Sequence, residues 1–586
     1  MNYLFFIFFS VFFYYAAVIS QYILKNNTLP NFIVSDFSIK LYFFILLILS
    51  IDFLIFQILL KKINVSFNKI SAIVYSPILL FLSYKFVYGR LKFLNRTIND
   101  PLKEIKYLIG LIIISILFFK LLFFVKQIFL LLKKRNILNK NFQILIFCIF
   151  VYLFVPAGLY KYWFGSVGDE KEYVINIYSL AVDGNLNLVD DIKNIQVITG
   201  GSELPPPLNF YTEKIYSLHS NLIPFHLLIL PSYILLGRFG LIVFFTIISG
   251  LIFLYIYKII FYLEANQLSA FSYSIFSACL AFFIIYNYQI YPEIIAAFFN
   301  IYFIWLLLKN YERKIYYFVL LTSPLMHWFN LRYIFFGAAY IVIYLFKYQL
   351  KKMLSYKNLC IYFLFAISVF LFLLVNYLMY ESFSFSANTL NYEMRYVSEK
   401  FYITLLGILF DSHYGILAYM PLLIFCIYDI ILKFKKNYAS LIILIFYLAP
   451  LSFYSGNWFG GFSPPMRLAA PIIPLIILGG SEFFKFFYRS TISKLLVFIL
   501  LIYSIFMSIM LYSVPILMYN ERNNGNNQIF EKIYWFFKID INRYFATFVP
   551  HRINSNSYKL VVIYFFILLI IYLIINIEGI RKCQKK

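Results

Sequence analysis

Long apolar runs, separated by short polar and basic segments, fill most of this chain of 586 residues. A helix needs about 20 predominantly apolar residues to cross a bilayer, and it satisfies its own backbone hydrogen bonds there. The pattern therefore predicts an all-α polytopic membrane protein with about 16 spanning helices. Five precede the longest polar segment, near 3–24, 41–60, 70–88, 107–132 and 142–159. The others follow it, near 241–257, 268–285, 294–308, 315–325, 333–346, 361–379, 414–432, 441–450, 468–484, 495–512 and 560–577.

Composition and charge fit a membrane protein and argue against a nucleic-acid partner. Hydrophobic residues make up 63% of the chain, charged residues 13%, and the net charge is +25. The lysines and arginines lie in short clusters between apolar runs, such as Lys61-Lys62 and the tail 581–586, where the positive-inside rule explains them. The five cysteines have no CxxC partner, which argues against a disulfide framework or a cysteine metal site.

The short apolar segment 222–236, which contains Pro224 and Pro231, decides the predicted topology. If this segment spans the membrane, later basic clusters such as 433–436 fall outside the cell. If it lies in the outer interface or re-enters the membrane, every later cluster falls inside, as the positive-inside rule requires. We adopt the second interpretation, which places all the polar motifs described below on the outer face.

A polar segment from about 163 to 221 holds eight of the chain's 25 acidic residues. Within it, apolar residues such as Tyr173, Ile177 and Leu180 recur at helical spacing, and Asp183-Gly184 ends the pattern. This spacing predicts a helix over 170–182. Because the helix has one apolar face and follows a predicted span, we expect it to lie flat on the membrane.

Three motifs in this part of the chain offer acid–base or anion-binding groups. The carboxylates of Asp169 and Glu170, in Gly168-Asp169-Glu170, can take a proton from an attacking hydroxyl or hold a divalent cation. The alternative is a pair of solvated loop acids. His219 can bind a phosphate or position an acceptor, or it is an interface histidine with one hydrogen bond. Glu293, directly after Pro292, is either a site carboxylate or a helix-start acid that favours the helix dipole.

Three further motifs follow along the chain. Arg332 and His327 lie between two apolar runs. A charged arginine is costly at such a position unless it is paired, and its planar guanidinium suits a phosphate. The alternative is a structural arginine paired with a carboxylate. Asp411 and His413 open a predicted span, either as site residues or as a helix cap with interface aromatics. Arg467 ends the glycine- and proline-rich run 456–467. That run offers backbone N–H groups and a positive charge to an anion such as a lipid phosphate, or it forms a rigid turn between helices.

The order of these motifs resembles bacterial members of the GT-C superfamily, polytopic glycosyltransferases that use polyprenyl-phosphate sugars. The resemblance covers about 142–586 and leaves 1–141 as extra N-terminal transmembrane helices. The chain departs from the superfamily in two places. In the superfamily the acidic loop usually follows the first helix, whereas here the block 1–141 precedes it. Asn221 also stands where a glycine is expected. The residues that carry the resemblance are Gly168-Asp169-Glu170, 180–188, His219, Pro224, 237–240, Tyr291-Pro292-Glu293, 327–332, Asp411, Tyr414-Gly415, 458–461 and 464–467.

The resemblance implies a GT-C-like helical bundle in the bacterial inner (plasma) membrane, with an acidic outer loop at 162–221 and a second outer loop at 518–557. It implies an inverting transfer at the outer face, from a polyprenyl-phosphate sugar donor to a lipid or glycan acceptor of the cell envelope. Asp169 is the expected base, with Glu170 as its helper or as a ligand of a divalent cation, the one cofactor left open. Arg332 and Arg467 are expected to neutralise the leaving phosphate. Further substrate-binding candidates are His219, Glu293, His327, Asp411 and His413.

Other classes of protein stay open. A transporter or lipid flippase predicts ionisable residues deep inside spans and matching broken helices from repeated halves. Lys120 and Lys126 lie within an apolar run, but no repeat is evident. A sugar-chain polymerase shares the chemistry and a large outer loop, but not this order of motifs. A scaffold protein leaves the acids of the loop unexplained.

Overall fold

The structure is a computed structural model, and it describes part of the chain. The chain divides into two units, Met1–Pro156 and Ala157–Lys586, and every described residue belongs to the second. The five spans predicted before the acidic loop and the run 456–462 lie outside the described residues. The described residues are 166, 168–191, 208–211, 214–264, 267–278, 280–349, 353–385, 401–452, 463–480, 491–513, 515–519, 526–549, 557–567, 569–570 and 573.

Helices make up most of the described chain. The first are α1 (Glu170–Val182), α2 (Ile223–Glu264), α3 (Gln267–Ala278), α4 (Ala281–Tyr286) and α5 (Pro292–Leu308). The central ones are α6 (Glu312–Thr322), α7 (Met326–Phe329), α8 (Ile334–Tyr344), α9 (Tyr356–Tyr380) and α10 (Phe401–Phe410). The last are α11 (Ile416–Tyr419), α12 (Leu423–Leu432), α13 (Phe434–Ser452), α14 (Ile473–Gly479), α15 (Thr491–Ser513), α16 (Gln528–Phe537) and α17 (Ser557–Ile567). Short 3₁₀ turns cover Ser323–Leu325, Leu331–Tyr333, Arg467–Ala469, Pro515–Met518 and Asn542–Tyr544, and a π-helical turn covers Leu345–Gln349.

Four of the described helical stretches are long and apolar enough to cross a membrane, which makes the chain a multi-pass membrane protein by length and composition. Among them, α9 exposes large apolar side chains such as Phe363 (65%) and Leu378 (67%), as a lipid-facing helix does. The mostly helical, membrane-spanning class predicted from the sequence is confirmed to this extent. The four stretches are Ile223–Glu264, Leu331–Gln349, Tyr356–Tyr380 and Phe434–Ser452. Shorter apolar helices cover Pro292–Leu308, Leu423–Leu432, Phe498–Ser508 and Ser557–Ile567.

Three of the predicted spans are not continuous helices in the structure. The span predicted at 268–285 divides into α3 and α4, because Leu280 before α4 has an extended backbone, with φ −75° and ψ 148°. The span predicted at 414–432 divides into α11 and α12 at Met420, whose ψ of 64° is not helical. Met420 precedes Pro421, and the residue before a proline is driven out of the helical conformation.

The span predicted at 468–484 begins in the 3₁₀ turn Arg467–Ala469 and is α-helical only over Ile473–Gly479 among its described residues. The prediction of continuous helices at these three places was wrong.

Helix α2 is 42 residues long and bends sharply at Gly237. The backbone of Gly237, with φ 61° and ψ −148°, is accessible to glycine almost alone. Next to the bend, a Cβ on Gly240 would lie 1.8 Å from the carbonyl oxygen of Ser232, so the two arms pack backbone to backbone. The first arm, 223–236, is about 21 Å long at 1.5 Å per residue, shorter than a bilayer core. The helix continues through Pro231, and its break lies at Gly237.

The acidic loop folds into α1 and a β-hairpin. α1 spans Glu170–Val182, as predicted, and Gly184 follows it with φ 68°. The hairpin pairs β1 (Leu208–Tyr211) with β2 (Lys214–Ser217) in antiparallel register, which adds a small sheet to a fold predicted as all-α. The expected membrane-facing apolar stripe of α1 is instead buried within the protein: Tyr173, Val174 and Ile177 are fully enclosed.

Candidate functional site

Asp169 is the residue immediately before α1. Gly168, with φ 61°, turns the chain into the helix, and the backbone carbonyl of Asp169 accepts from the N–H groups of Glu172 and Tyr173. The Asp169 side chain makes no capping bond. It is 31% exposed, so its oxygens are available to groups from other elements.

His219 lies in the turn between β2 and α2, opposite Asp169. A hydrogen-bond cluster holds this turn: Ser220 Oγ donates to the buried Asn176 of α1 (3.0 Å), and the Asn176 amide donates to Ser217 Oγ (2.9 Å). The His219 ring stacks on Tyr173, with centroids 5.0 Å apart. The turn thereby fixes the position and the plane of the imidazole.

Helix α9 also supports the His219 turn. The hydroxyl of Tyr380 donates to the Ser217 carbonyl at 2.9 Å. The Asn221 amide donates to the Asn376 side-chain oxygen at 2.8 Å. Asn221, which stands where the superfamily resemblance expects a glycine, therefore has a structural use in this chain.

Asp169 binds two cationic partners through one oxygen, Oδ2. His219 Nε2 lies 3.2 Å away and Arg467 Nη2 lies 2.6 Å away. Glu172, one helical turn after Asp169, places its Oε2 4.0 Å from the same His219 nitrogen. Two carboxyl groups from one face of α1 thus meet an imidazole and a guanidinium.

The ion pairs continue from Arg467 to Glu293 and Arg332. Glu293 Oε1 accepts from Arg467 Nε at 3.1 Å and from Arg332 Nη2 at 2.5 Å. Glu293 is fully buried, and Arg332 and Arg467 are exposed by 18% and 7%. The structure thus joins five of the predicted site residues in one ionic network: Asp169, His219, Glu293, Arg332 and Arg467.

The backbone before Arg467 aims its side chain into this network. Met466 has φ 61°, a left-handed conformation, and its N–H donates to the Tyr414 carbonyl at 3.1 Å. The hydroxyl of Tyr286 donates to the Pro465 carbonyl at 2.7 Å. The guanidinium then lies 4.7 Å from the centre of the Tyr291 ring, a cation–π contact that orients it further.

The environment separates the acidities of the two carboxyl groups on α1. Burial opposes ionisation of Asp169, but Arg467 and His219 outweigh it and hold the pKa of Asp169 well below its usual range. Burial, opposed by His219 and reinforced by the Asp169 carboxylate, raises the pKa of Glu172 to about 8. Burial also disfavours the charged imidazole, yet Glu172 and Asp169 outweigh it and raise the pKa of His219. Neighbouring carboxyl groups whose pKa values are shifted in opposite directions are typical of functional sites.

Six buried polar atoms around the network have no hydrogen-bond partner among the described residues. Buried polar groups are nearly always paired, and a polar ligand, an ion or water would satisfy atoms of this kind. Three of the six atoms are tyrosine hydroxyls, and the rings that carry them contact the charged residues. Tyr173 stacks on His219, and Tyr291 and Tyr333 make cation–π contacts with Arg467 and Arg332, the last at 5.6 Å. The six atoms are Glu172 Oε2, Tyr173 OH, Tyr291 OH, Glu293 Oε2, Arg332 Nε and Tyr333 OH.

Glu170, the predicted helper of Asp169, lies on another side of α1. It is fully buried, and its Oε1 accepts from the Ile290 backbone N–H at 2.8 Å. The acidic pair that faces His219 is therefore Asp169 with Glu172, and the three donor atoms of Asp169, Glu172 and His219 lie within 4.8 Å of one another.

The remaining predicted site residues have other surroundings. Asp411 caps a turn, accepting from the N–H groups of His413 and Tyr414 and, through Oδ2, from Phe548. His413 is fully buried, and neither ring nitrogen has a hydrogen-bond partner in the described chain. His327 Nε2 bonds the Ser368 carbonyl at 3.2 Å, within a group of aromatic rings. The structure does not bring these three into the ionic network of Asp169.

Sequence reasoning did not assign Glu172 or the three tyrosines to the site. A signal for Glu172 was present: it follows Asp169 by three residues, and residues at that spacing share a helix face. Tyr291 stood in a motif that carries the resemblance and Tyr173 in the apolar stripe of α1, but neither could be given a role at the site, because the chain has 54 tyrosines.

No protein-family model, curated protein or solved structure matches this chain. No family membership is therefore shown, and the functional conclusion depends on the geometry of the residues around Asp169.

Proposed function

We propose that the chain is a membrane glycosyltransferase of the bacterial inner membrane. It transfers a sugar, with inversion, from a polyprenyl-phosphate donor to a lipid or glycan acceptor of the cell envelope at the outer face. The observation that carries this proposal is the ionic network of Asp169, Glu293 and Arg467 beside six buried, unpartnered polar atoms. A substrate with many hydroxyl groups and a phosphate would satisfy atoms of this kind.

Asp169 serves the acceptor in this proposal. Its carboxylate is ionised at neutral pH because Arg467 and His219 hold its pKa well below the usual range. A weak base takes the proton late, when the acceptor oxygen has begun to bond to the anomeric carbon and its hydroxyl has become acidic. Asp169 therefore orients the acceptor hydroxyl first and receives its proton as the sugar–phosphate bond breaks.

Arg332 is the better placed of the two arginines for the leaving phosphate. Arg467 already uses Nε and Nη2 on two carboxylates. Arg332 uses Nη2 on Glu293, while its Nε is buried and has no partner within the described part of the chain. A phosphate oxygen is a suitable acceptor for such a donor, and a guanidinium can neutralise the charge that develops as the phosphate leaves.

The first arm of α2 suits the lipid part of such a donor. It starts four residues after His219 and exposes the apolar side chains of Leu227 (51%), Ile234 (65%) and Leu235 (77%). Exposed apolar side chains at helical spacing are expected where a helix meets lipid. A polyprenyl chain lying along this arm would bring its phosphate towards the turn that carries His219.

Deletion of the gene followed by mass spectrometry of the cell's surface glycans and lipids tests the proposal. We expect one sugar to disappear from an acceptor, and wild-type protein to restore it. Asp169→Asn should not restore it, whereas Asp183→Asn should, because Asp183 is an exposed acid at the other end of α1. Restoration by Asp169→Asn at equal expression, or unaltered glycans after deletion, would contradict the proposal. Accumulation of a complete lipid-linked glycan would instead indicate a flippase.

A further inference from the structure

We propose that Asp169, Glu172 and His219 form a binding site for a divalent transition-metal ion, Zn²⁺ or Mn²⁺. Two carboxylates and one imidazole converge there, with their donor atoms within 4.8 Å of one another. The carboxyl groups come from one face of α1 and the imidazole from the turn before α2. A mixed nitrogen and oxygen donor set favours these ions over Mg²⁺ and Ca²⁺, which take oxygen ligands. This inference does not rest on the proposed transferase activity.

The state of Glu172 is the independent observation that points to a ligand. Only 2% of its side chain is exposed, and its Oε2 has no hydrogen-bond partner among the described residues. This oxygen faces His219 Nε2 at 4.0 Å, on the side where Asp169 lies. A buried carboxylate oxygen that accepts no hydrogen bond, beside a second carboxylate, is costly unless a cation or a proton neutralises it. A metal ion bound between the two carboxyl groups removes that cost.

The spacing of the donor atoms suits such an ion. Zinc bonds to nitrogen and oxygen are about 2.1 Å long, so neighbouring ligand atoms in a tetrahedral site lie about 3.4 Å apart. The separations from His219 Nε2 are 3.2 Å to Asp169 Oδ2 and 4.0 Å to Glu172 Oε2, close to this spacing. The stacking of His219 on Tyr173 keeps the imidazole plane in place.

A metal ion at this site would lie near one positively charged side chain, that of Arg467. Its guanidinium binds Oδ2 of Asp169 at 2.6 Å, the same oxygen that lies 3.2 Å from His219 Nε2. Arg467 is also paired with Glu293, which offsets its charge. Three protein ligands leave at least one coordination position open, an arrangement typical of metal ions that bind water or substrate.

Direct metal binding tests this inference without any substrate. The purified protein, stripped with a chelator in detergent, is titrated calorimetrically with Zn²⁺ and with Mn²⁺, and with Mg²⁺ for comparison. We expect one Zn²⁺ or Mn²⁺ per chain, and affinity at least about tenfold lower in Glu172→Gln and in His219→Gln. Asp183→Asn, which removes a carboxylate at the far end of α1, should bind like the wild type.

Absence of Zn²⁺ and Mn²⁺ binding to the wild type, or equal affinity in Glu172→Gln, would overturn the site. Melting curves without metal show whether each variant is folded. If Glu172→Gln does not fold, Asp169→Asn takes its place with the same expected loss of affinity. Because the readout is metal binding, the outcome is separate from the glycan analysis, which tests the transferase proposal alone.

Discussion

Arg467 and Asp169 form a direct ion pair, with Nη2 2.6 Å from Oδ2. The sequence analysis assigned them to opposite sides of one reaction, Asp169 to the acceptor and Arg467 to the leaving phosphate. In the structure each neutralises the other, and Glu293 shares the arginine at 3.1 Å. The pair therefore helps to hold α1 to the segment before α14, besides any part that it takes in chemistry.

We expect Arg467→Ala to destabilise the protein as well as to weaken donor binding. Loss of one partner of a buried pair costs about 3 kcal/mol or more, and partial exposure of Asp169 places this case at the lower end. Thermal unfolding in detergent measures the loss. In a double-mutant cycle with Asp169→Asn, the two losses should not add, because the second change removes a charge that has already lost its arginine. Additive losses would contradict the pairing.

Glu170 and Asp169 should respond differently to amide substitution. Glu170→Gln keeps an oxygen for the Ile290 N–H, so we expect normal sugar transfer and normal stability. Glu170→Ala leaves that buried N–H without a partner and should cost about 1–3 kcal/mol. The same glycan assay and melting curves compare the three variants. Loss of transfer in a folded Glu170→Gln would give Glu170 the catalytic role that the sequence analysis allowed.

Gly240→Ala should prevent formation of the bend in α2. Its new Cβ would lie 1.8 Å from the backbone oxygen of Ser232, which cannot move without separating the two arms. Gly184→Ala is the control, since its Cβ meets no atom within 4 Å and the strain from φ 68° stays local to the end of α1. Size-exclusion chromatography of detergent extracts should show little folded Gly240→Ala and a clear peak for Gly184→Ala. Equal yields would argue against the close packing of the arms.

Asp411→Ala should loosen the segment 526–549. The Asp411 carboxylate holds the Phe548 N–H as well as its own turn, so its removal frees this connection. Limited proteolysis should cut the segment faster in Asp411→Ala than in the wild type. Asp411→Asn keeps one acceptor oxygen, so its cleavage rate should lie between those of the wild type and Asp411→Ala. An unchanged cleavage rate in Asp411→Ala would contradict the tether.

Asp411 also predicts a pH dependence of stability. Burial raises the pKa of Asp411 to about 6, above its ordinary value of 3.8, despite the backbone N–H bonds that oppose the rise. The native state therefore binds this proton more tightly than the unfolded state, and the free energy of unfolding falls as pH rises from about 4 to about 6. Melting temperatures measured across this range should show a smaller fall in Asp411→Asn than in the wild type.

The sequence predicted α1 to the residue and several elements of the site, for identifiable reasons. Apolar spacing and the stop at Asp183-Gly184 are local signals, and α1 follows them. The arginine–carboxylate alternative considered for Arg332 describes the observed pair with Glu293. The cap alternative considered for Asp411 describes its three backbone bonds.

Contacts between distant parts of the chain could not be predicted in the same way. The pairing of Arg467 with Asp169 depends on how α1 and the 3₁₀ turn Arg467–Ala469 pack, and no local pattern encodes that. The break at Met420 had a signal in Pro421, but the continuous apolar run concealed it. Glu170 and Glu172 look equivalent in sequence, and only burial of α1 on several sides distinguishes the faces that they occupy.

The hydrogen bonds from α9 to the His219 turn have a mechanical consequence. Tyr380 and Asn376 stand at the end of a helix with many exposed large apolar side chains, and such a helix can respond by tilting to a bilayer thinner than its apolar length. A change of tilt would displace the two side chains that hold the turn, and with it the distance from His219 to Asp169. We therefore expect lipid chain length to act on the site through α9, with no change in any residue that lines it.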